Sequence, residues 1–268
     1  FTVSTVVTPT VTIAANTASP ICAGAKVTFT ATAVNAGTAP VYQWYKNNNV
    51  VGTAITYTDS LLKNSDSVWV VVTSNAACLV ANTAKSNVLK YVVNAAVSPS
   101  VTIAANVASP ICAGTKVTFT ATAVNGGTAP VYQWYKNNTV VGTASTYTDS
   151  LLKNSDSVWC VLTSNAACIT TTSATSSKLK YTVNALSAPT VTIAANIASP
   201  ICTGTKVTFT ATAVNGGTAP TYQWYKNNAV VGTASTYTDS LLKNSDSVWC
   251  VLTSNATCIA TTSATSSK

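Results

Sequence analysis

Apolar and hydroxyl-bearing residues alternate with period two through Lys26-Val-Thr-Phe-Thr-Ala-Thr-Ala, and further β-prone runs follow at Tyr42-Gln-Trp-Tyr-Lys and Ser67-Val-Trp-Val-Val-Val-Thr. Such alternation puts successive side chains on opposite faces of an extended chain, the pattern of a half-buried strand. Asn-Asn and Asn-Gly-Gly sit between the runs and mark turns. No helical period of any length is present. The segment Val11-Thr-Ile-Ala-Ala-Asn returns at Val101 and again at Val191, a period of ninety residues. A fixed period of this size makes each repeat one small domain. Several strands within roughly ninety residues cannot bury their faces as one flat sheet, so each repeat is expected to form two packed sheets of about seven strands in all.

Trp44 in Tyr-Gln-Trp-Tyr resembles the core Trp of an immunoglobulin C strand, and Asp66-Ser-Val-Trp-Val resembles the turn into its F strand. Ala31 stands where the B-strand Cys of that family would lie. More narrowly, Ile111-Cys-Ala-Gly-Thr-Lys-Val-Thr-Phe-Thr-Ala-Thr, Tyr132-Gln-Trp-Tyr-Lys-Asn and Val158-Trp-Cys-Val-Leu-Thr-Ser-Asn-Ala-Ala-Cys together resemble the immunoglobulin/PKD-like repeats of Bacteroidota surface adhesins and secreted fibre proteins. The resemblance covers essentially the whole chain and implies an all-β protein of three tandem immunoglobulin-like β-sandwich domains; fold kinship alone does not assign a function.

The expected boundaries are a leading strand and linker over residues 1–10, then domains over 11–100, 101–190 and 191–268. The first two repeats close with alternating segments, Leu89-Lys-Tyr-Val-Val-Asn and Leu179-Lys-Tyr-Thr-Val-Asn, read as strand G. The third stops at Lys268, which aligns with Lys178, so it lacks this final strand. Residues 1–10, Phe-Thr-Val-Ser-Thr-Val-Val-Thr-Pro-Thr, stand in the register of Tyr91 to Ser100 and of Tyr181 to Thr190. The chain begins with the strand that its end lacks, which makes Phe1, Thr2, Val3, Ser4, Thr5, Val6 and Val7 a candidate donor strand, placed beside strand F of the third domain in another molecule.

Hydrophobic residues make up 47% of the chain and charged residues only 7%, so hydroxyls and amides must form most of the solvated surface. The +8 net charge comes from lysines spread through every repeat. With no basic run to track phosphates, nucleic acid is not an expected partner. No apolar stretch is long enough to span a bilayer, and the opening Phe1 reads as the start of a mature secreted product. The chain has no His and no Glu, which leaves acid–base or nucleophilic catalysis to Asp, Lys, Tyr, Cys or hydroxyls. The aspartates fall at two repeat positions, Asp59, Asp149 and Asp239, and Asp66, Asp156 and Asp246. Both contexts are those of turn formers bonding nearby backbone amides. No enzymatic activity, metal or cofactor is expected.

The first repeat holds only Cys22 and Cys78, and equivalence extends that pairing to Cys112–Cys168 and Cys202–Cys258. Such bridges imply an oxidising compartment, outside the cell or on its surface. Cys160 and Cys250 occupy the position of Val70, which points to a small buried apolar site; pairing of the Cys160–Cys168 kind is the alternative. Period two turns Trp44 inward and Tyr45 and Trp69 outward, so Tyr45 with Trp69, Tyr135 with Trp159 and Tyr225 with Trp249 are candidate exposed aromatic pairs. They would either pack across strands or stack against a sugar or a neighbouring filament. Asp-Ser-Leu at Asp59, Asp149 and Asp239 resembles a Bacteroidota O-glycosylation motif, with Ser60, Ser150 and Ser240 as acceptors.

Three functions compete. The first is a filament subunit whose partners are other copies of itself, head to tail, through donor-strand exchange. The second is a piece of a long adhesin, in which residues 1–10 end an earlier repeat. The third is a carbohydrate-binding module using the Tyr–Trp pairs.

Overall fold

Residues 3–268 are described by a computed structural model, and every regular element among them is a β-strand. Phe1 and Thr2, the first two residues of the candidate donor strand, lie outside the described residues. The first repeat contains β1 (Thr10–Ala15), β2 (Ile21–Cys22), β3 (Val27–Val34), β4 (Val41–Lys46), β5 (Asn49–Gly52), β6 (Thr56–Asp59), β7 (Ser67–Thr73), β8 (Thr83–Lys85), β9 (Leu89–Lys90) and β10 (Val93–Asn94). One sheet runs β1-β3-β6 and the other β5-β4-β7-β8, with β9 also on β7. Strands β2 and β10 form a short parallel ladder of their own, Val93 opposite Ile21 and Asn94 opposite Cys22.

The alternating residues of β3, β4 and β7 meet between the sheets, where Val27, Phe29, Trp44, Val68, Val70 and Val72 are fully buried. Trp44 leaves no polar atom stranded in this core, because its indole N–H donates to the Ala54 carbonyl at 2.8 Å. Ala31 is buried at the position where the immunoglobulin family carries a Cys. Asn47 and Asn48 join β4 to β5 with φ of 48° and 70°, the pair of positive φ values that a two-residue hairpin turn demands and that Asn tolerates.

The described chain resolves into two compact units. One holds residues up to Val101 with 123–131 and 161–175; the other holds 102–122, 132–160 and 176–268, so the middle repeat supplies residues to both. The third repeat repeats the sandwich with Thr190–Ala195, Val207–Val214 and Thr236–Asp239 in one sheet and Ala229–Gly232, Thr221–Lys226, Val248–Thr253 and Ser263–Thr265 in the other. Counterparts of β2, β9 and β10 do not form among its described residues.

Strand G differs from its expected form. Leu89 to Asn94 is not one strand: Lys90 and Leu89 pair with Ser67 and Val68 of β7, Tyr91 turns into the core, and Val93–Asn94 leave β7 for β2. Tyr91 causes the break. Its ring meets Phe29 edge-on at 5.7 Å, its hydroxyl donates to the Thr17 carbonyl at 2.8 Å, and its main chain is claimed by the turn before β7, with Tyr91 N–H to Asp66 O at 2.9 Å and Ser65 N–H to Tyr91 O at 2.8 Å.

Candidate assembly interface

In the middle repeat Tyr181 fills the slot that Tyr91 fills in the first, 5.7 Å from Phe119 and edge-on to it. Val183 and Asn184 pair in parallel with Ile111 and Cys112. Closure of the slot buries Ile111, Phe119 and Leu152. The third repeat reaches the same sheets without this segment, and the equivalents Ile201, Phe209 and Leu242 are only half-buried. They line an open groove of about 990 Å³ together with Ile193, Val248 and Lys268.

Main-chain groups face the same groove. In the complete repeats the N–H groups of Ile21 and Ala23, and of Ile111 and Ala113, donate to the closing segment at 2.9–3.0 Å, and the turn before the F-type strand exchanges two more bonds with Tyr91 or Tyr181. Among the described residues nothing engages Ile201, Thr203, Ser245 and the Asp246 carbonyl in this way. A row of unpaired main-chain groups beside exposed apolar side chains is a template for an added strand.

Near the start of the chain Val3 to Val6 take no part in any strand, and Val3 is 95% exposed. Val7 is already committed to its own domain: its N–H donates to the Cys78 carbonyl at 2.9 Å, and the Val80 N–H returns to the Val7 carbonyl at 3.1 Å. Of the described part of the expected donor segment, Val3 to Val6 make no strand pairing and Val7 does. By the ninety-residue period Val3 and Ser4 stand in register with Val93–Asn94 and Val183–Asn184, which pair with β2 and its equivalent.

The disulfides overturn the expected pairing. Cys22 bonds Cys168, and Cys112 bonds Cys258, with Cα atoms 5.2 and 5.1 Å apart; Cys78 and Cys202 are exposed thiols. Cys22–Cys78 cannot form because the two residues sit at opposite ends of one sandwich. Cys22 lies on β2 beside Asn94, where the chain leaves the repeat, whereas Cys78 holds Val7, where the chain comes in. Each bridge thus joins one repeat to the next, alongside the linker. Cys160 and Cys250 are buried at the core position of Val70, and burial pushes both thiols to a raised pKa.

The Tyr–Trp pairs form, but they are not exposed platforms. Tyr45 stacks on Trp69 at 5.6 Å and 6°, and the Lys85 ammonium lies 4.7 Å over the same indole, so the strands on either side of β7 cover it. Trp69 and Trp159 are buried and Trp249 half-buried. Tyr135 with Lys178 and Tyr225 with Lys268 repeat the arrangement. A ring flanked in this way has no open face for a sugar.

The aspartates are spent on internal bonds. Asp59 accepts from Lys46 Nζ at 2.7 Å, the Tyr57 hydroxyl at 2.7 Å and the Leu61 N–H at 2.7 Å. Asp66 accepts from Asn47 Nδ2 at 2.6 Å and the Lys63 N–H at 2.8 Å. Burial alone would raise the Asp59 pKa, but these bonds outweigh it and hold the carboxyl below its ordinary 3.8. A carboxyl depressed by folding stabilises the fold above its ordinary range, and that contribution disappears as pH falls through the lower folded value. Calorimetry is therefore expected to show the melting temperature constant near neutrality and falling below about pH 4. Asp59→Ala, which leaves Lys46 and Tyr57 without their acceptor, should cost roughly 1–3 kcal/mol. Ser60, Ser150 and Ser240 follow these carboxylates and are exposed.

Paired sheets packed around a buried Trp, three times along one chain, define a tandem immunoglobulin-like β-sandwich protein. No protein-family model matches the sequence, and no curated protein does. Solved structures similar to it include three N-terminal domains of the bacteriophage RB49 highly immunogenic outer capsid protein Hoc, at 14% identity and TM-score 0.34 over 97% of this chain and 99% of that one. The fibronectin(III)-like modules of Clostridium thermocellum CbhA are similar at 15% identity and TM-score 0.30, covering 65% and 94%. The eight N-terminal immunoglobulin domains of the Down syndrome cell adhesion molecule are similar at 12% and 0.35, covering 90% and 40%.

Proposed function

We propose that the protein is a structural subunit of an extracellular filament. The N-terminal strand of one copy completes the third sandwich of the next by donor-strand exchange. The observation that carries this reading is the groove in the third repeat: it has the lining, the free main-chain groups and the register that Tyr181–Asn184 satisfy in the middle repeat. In that register Phe1 takes the place of Tyr181 against Phe209, and Val3 and Ser4 run parallel to Ile201 and Cys202. Burying one aromatic and one aliphatic side chain contributes about 3–6 kcal/mol, and each main-chain bond about 0.5–1.5 kcal/mol more. This is comparable with the stability of a small domain. The pairing is head-to-tail and does not close on itself, so it builds open fibres. The two disulfides agree with an oxidising, extracellular setting.

Val3→Asp tests the reading without disturbing the subunit, because Val3 touches almost nothing in its own chain. Placing a carboxylate against Ile201 is expected to reduce the fibre mass recovered by pelleting at least tenfold. Recovery equal to that of the parent protein would overturn the reading.

A further inference from the structure

The two bridges obey one rule. Each joins a β2-type cysteine to a cysteine 146 residues further on, in the loop that receives the linker of the following repeat. In both cases the loop cysteine's carbonyl accepts from a linker N–H: Val97 to Cys168 at 2.8 Å and Ser187 to Cys258 at 2.9 Å. Each rule position has one member left over. Cys202 is the β2-type cysteine of the third repeat, and Cys78 is the loop cysteine of the first. Both are exposed thiols.

Their surroundings are those of half-built bridges. Val7 bonds Cys78 as Val97 bonds Cys168, and the isolated pairing of Val7 with Leu79 matches that of Val97 with Ile169. Cys202 lies on the groove that lacks its parallel partner strand. The same 146-residue step from Cys202, counted through three periods of ninety, lands on Cys78. Val97 lies three positions after Asn94, and Val7 lies three positions after Ser4. A copy whose Ser4 pairs with Cys202 would therefore carry its own Cys78 to the place that Cys168 holds beside Cys22.

We propose that Cys202 of one copy forms a disulfide with Cys78 of the copy whose N-terminal strand it accepts, so that every junction of the fibre is covalently locked. The inference rests on the donor-strand reading. The two thiols give up two protons and two electrons as the S–S bond forms. The acceptor is an oxidised dithiol, whose own S–S bond breaks to two thiols by exchange. The bridge is intermolecular and needs both cysteines, so a chain missing either one cannot extend a covalent series.

The test uses the full chain, assembled with oxidised glutathione and examined by electron microscopy and by gel electrophoresis in detergent without reductant. The expected result is fibres and a ladder in steps of 27.4 kDa, collapsing to one band on reduction, with a Cys78–Cys202 peptide in the digest. Cys202→Ser and Cys78→Ser should each form fibres but no ladder, and their mixture should give covalent dimers and nothing larger. Fibres whose Cys78 and Cys202 remain open to alkylation, or that carry Cys78–Cys78 or Cys202–Cys202 links, would overturn the disulfide and leave the donor-strand reading standing. Absence of fibres from the parent chain would overturn both.

Discussion

A chain lacking residues 1–5 is expected to stay monomeric at concentrations where the parent protein is fully fibrous. The deletion removes Phe1, Val3 and Ser4, the residues in register with Tyr181, Val183 and Asn184, and stops short of Val7, whose bonds to Cys78 and Val80 belong to its own domain. If the strand contributes about 4–8 kcal/mol to the junction, its loss weakens association by roughly three to six orders of magnitude at 1.4 kcal/mol per factor of ten. The first repeat should melt as it does in the parent protein, because its core from Val11 to Tyr91 is closed by its own chain. Light scattering and sedimentation give the outcome directly. Fibres from the shortened chain, at parental yield, would mean that some other surface drives assembly.

Extending the chain after Lys268 with Leu-Lys-Tyr-Thr-Val-Asn, the sequence of residues 179–184, should have the opposite effect on the third domain and the same effect on growth. The added tyrosine would meet Phe209 as Tyr181 meets Phe119, and Ile201 and Thr203 would gain acceptors for their N–H groups. Intramolecular delivery outcompetes a strand arriving from solution, because a short tether sets an effective concentration in the millimolar range. The third domain is expected to melt several degrees higher, by the scaling of about 4–8 °C per kcal/mol for a domain of this size. Substoichiometric addition should cap growing fibres. An extended chain that polymerises like the parent would show that the groove is not the acceptor.

Much of this was legible in the residues. Period two in Lys26 to Ala33 and around Trp44 and Val68 specifies which side chains enter the core, and the ninety-residue repeat marks the recurrence of the sandwich along the chain. Other features depend on relations that no local pattern carries. Ile21–Cys22 is a two-residue strand, too short to display a period, and its parallel partner Val93–Asn94 lies a whole domain away. Without that ladder the two ends of the sandwich cannot be told apart, and Cys22 and Cys78 look like natural partners. The departure of the closing segment from β7 at Tyr91 follows from a ring contact with Phe29, not from alternation. Trp69 does point away from the core as period two requires, yet Tyr45 and Lys85 bury it, and the lysine differs in position between repeats, Lys85 in the first and Lys178 in the second. The inter-repeat bridges left one sequence signal: every β2-type and loop cysteine recurs at a spacing of ninety, which permits pairing across repeats as readily as within them.

The most direct test is a cryo-electron microscopy map of the assembled fibre at side-chain resolution. Donor-strand exchange predicts that the groove of every third repeat is filled by the N-terminal segment of another copy, with the Phe1 ring edge-on to Phe209 and Val3–Ser4 parallel to Ile201–Cys202. A groove that is empty in the fibre, or filled by chain continuous with Lys268 of the same molecule, would contradict it.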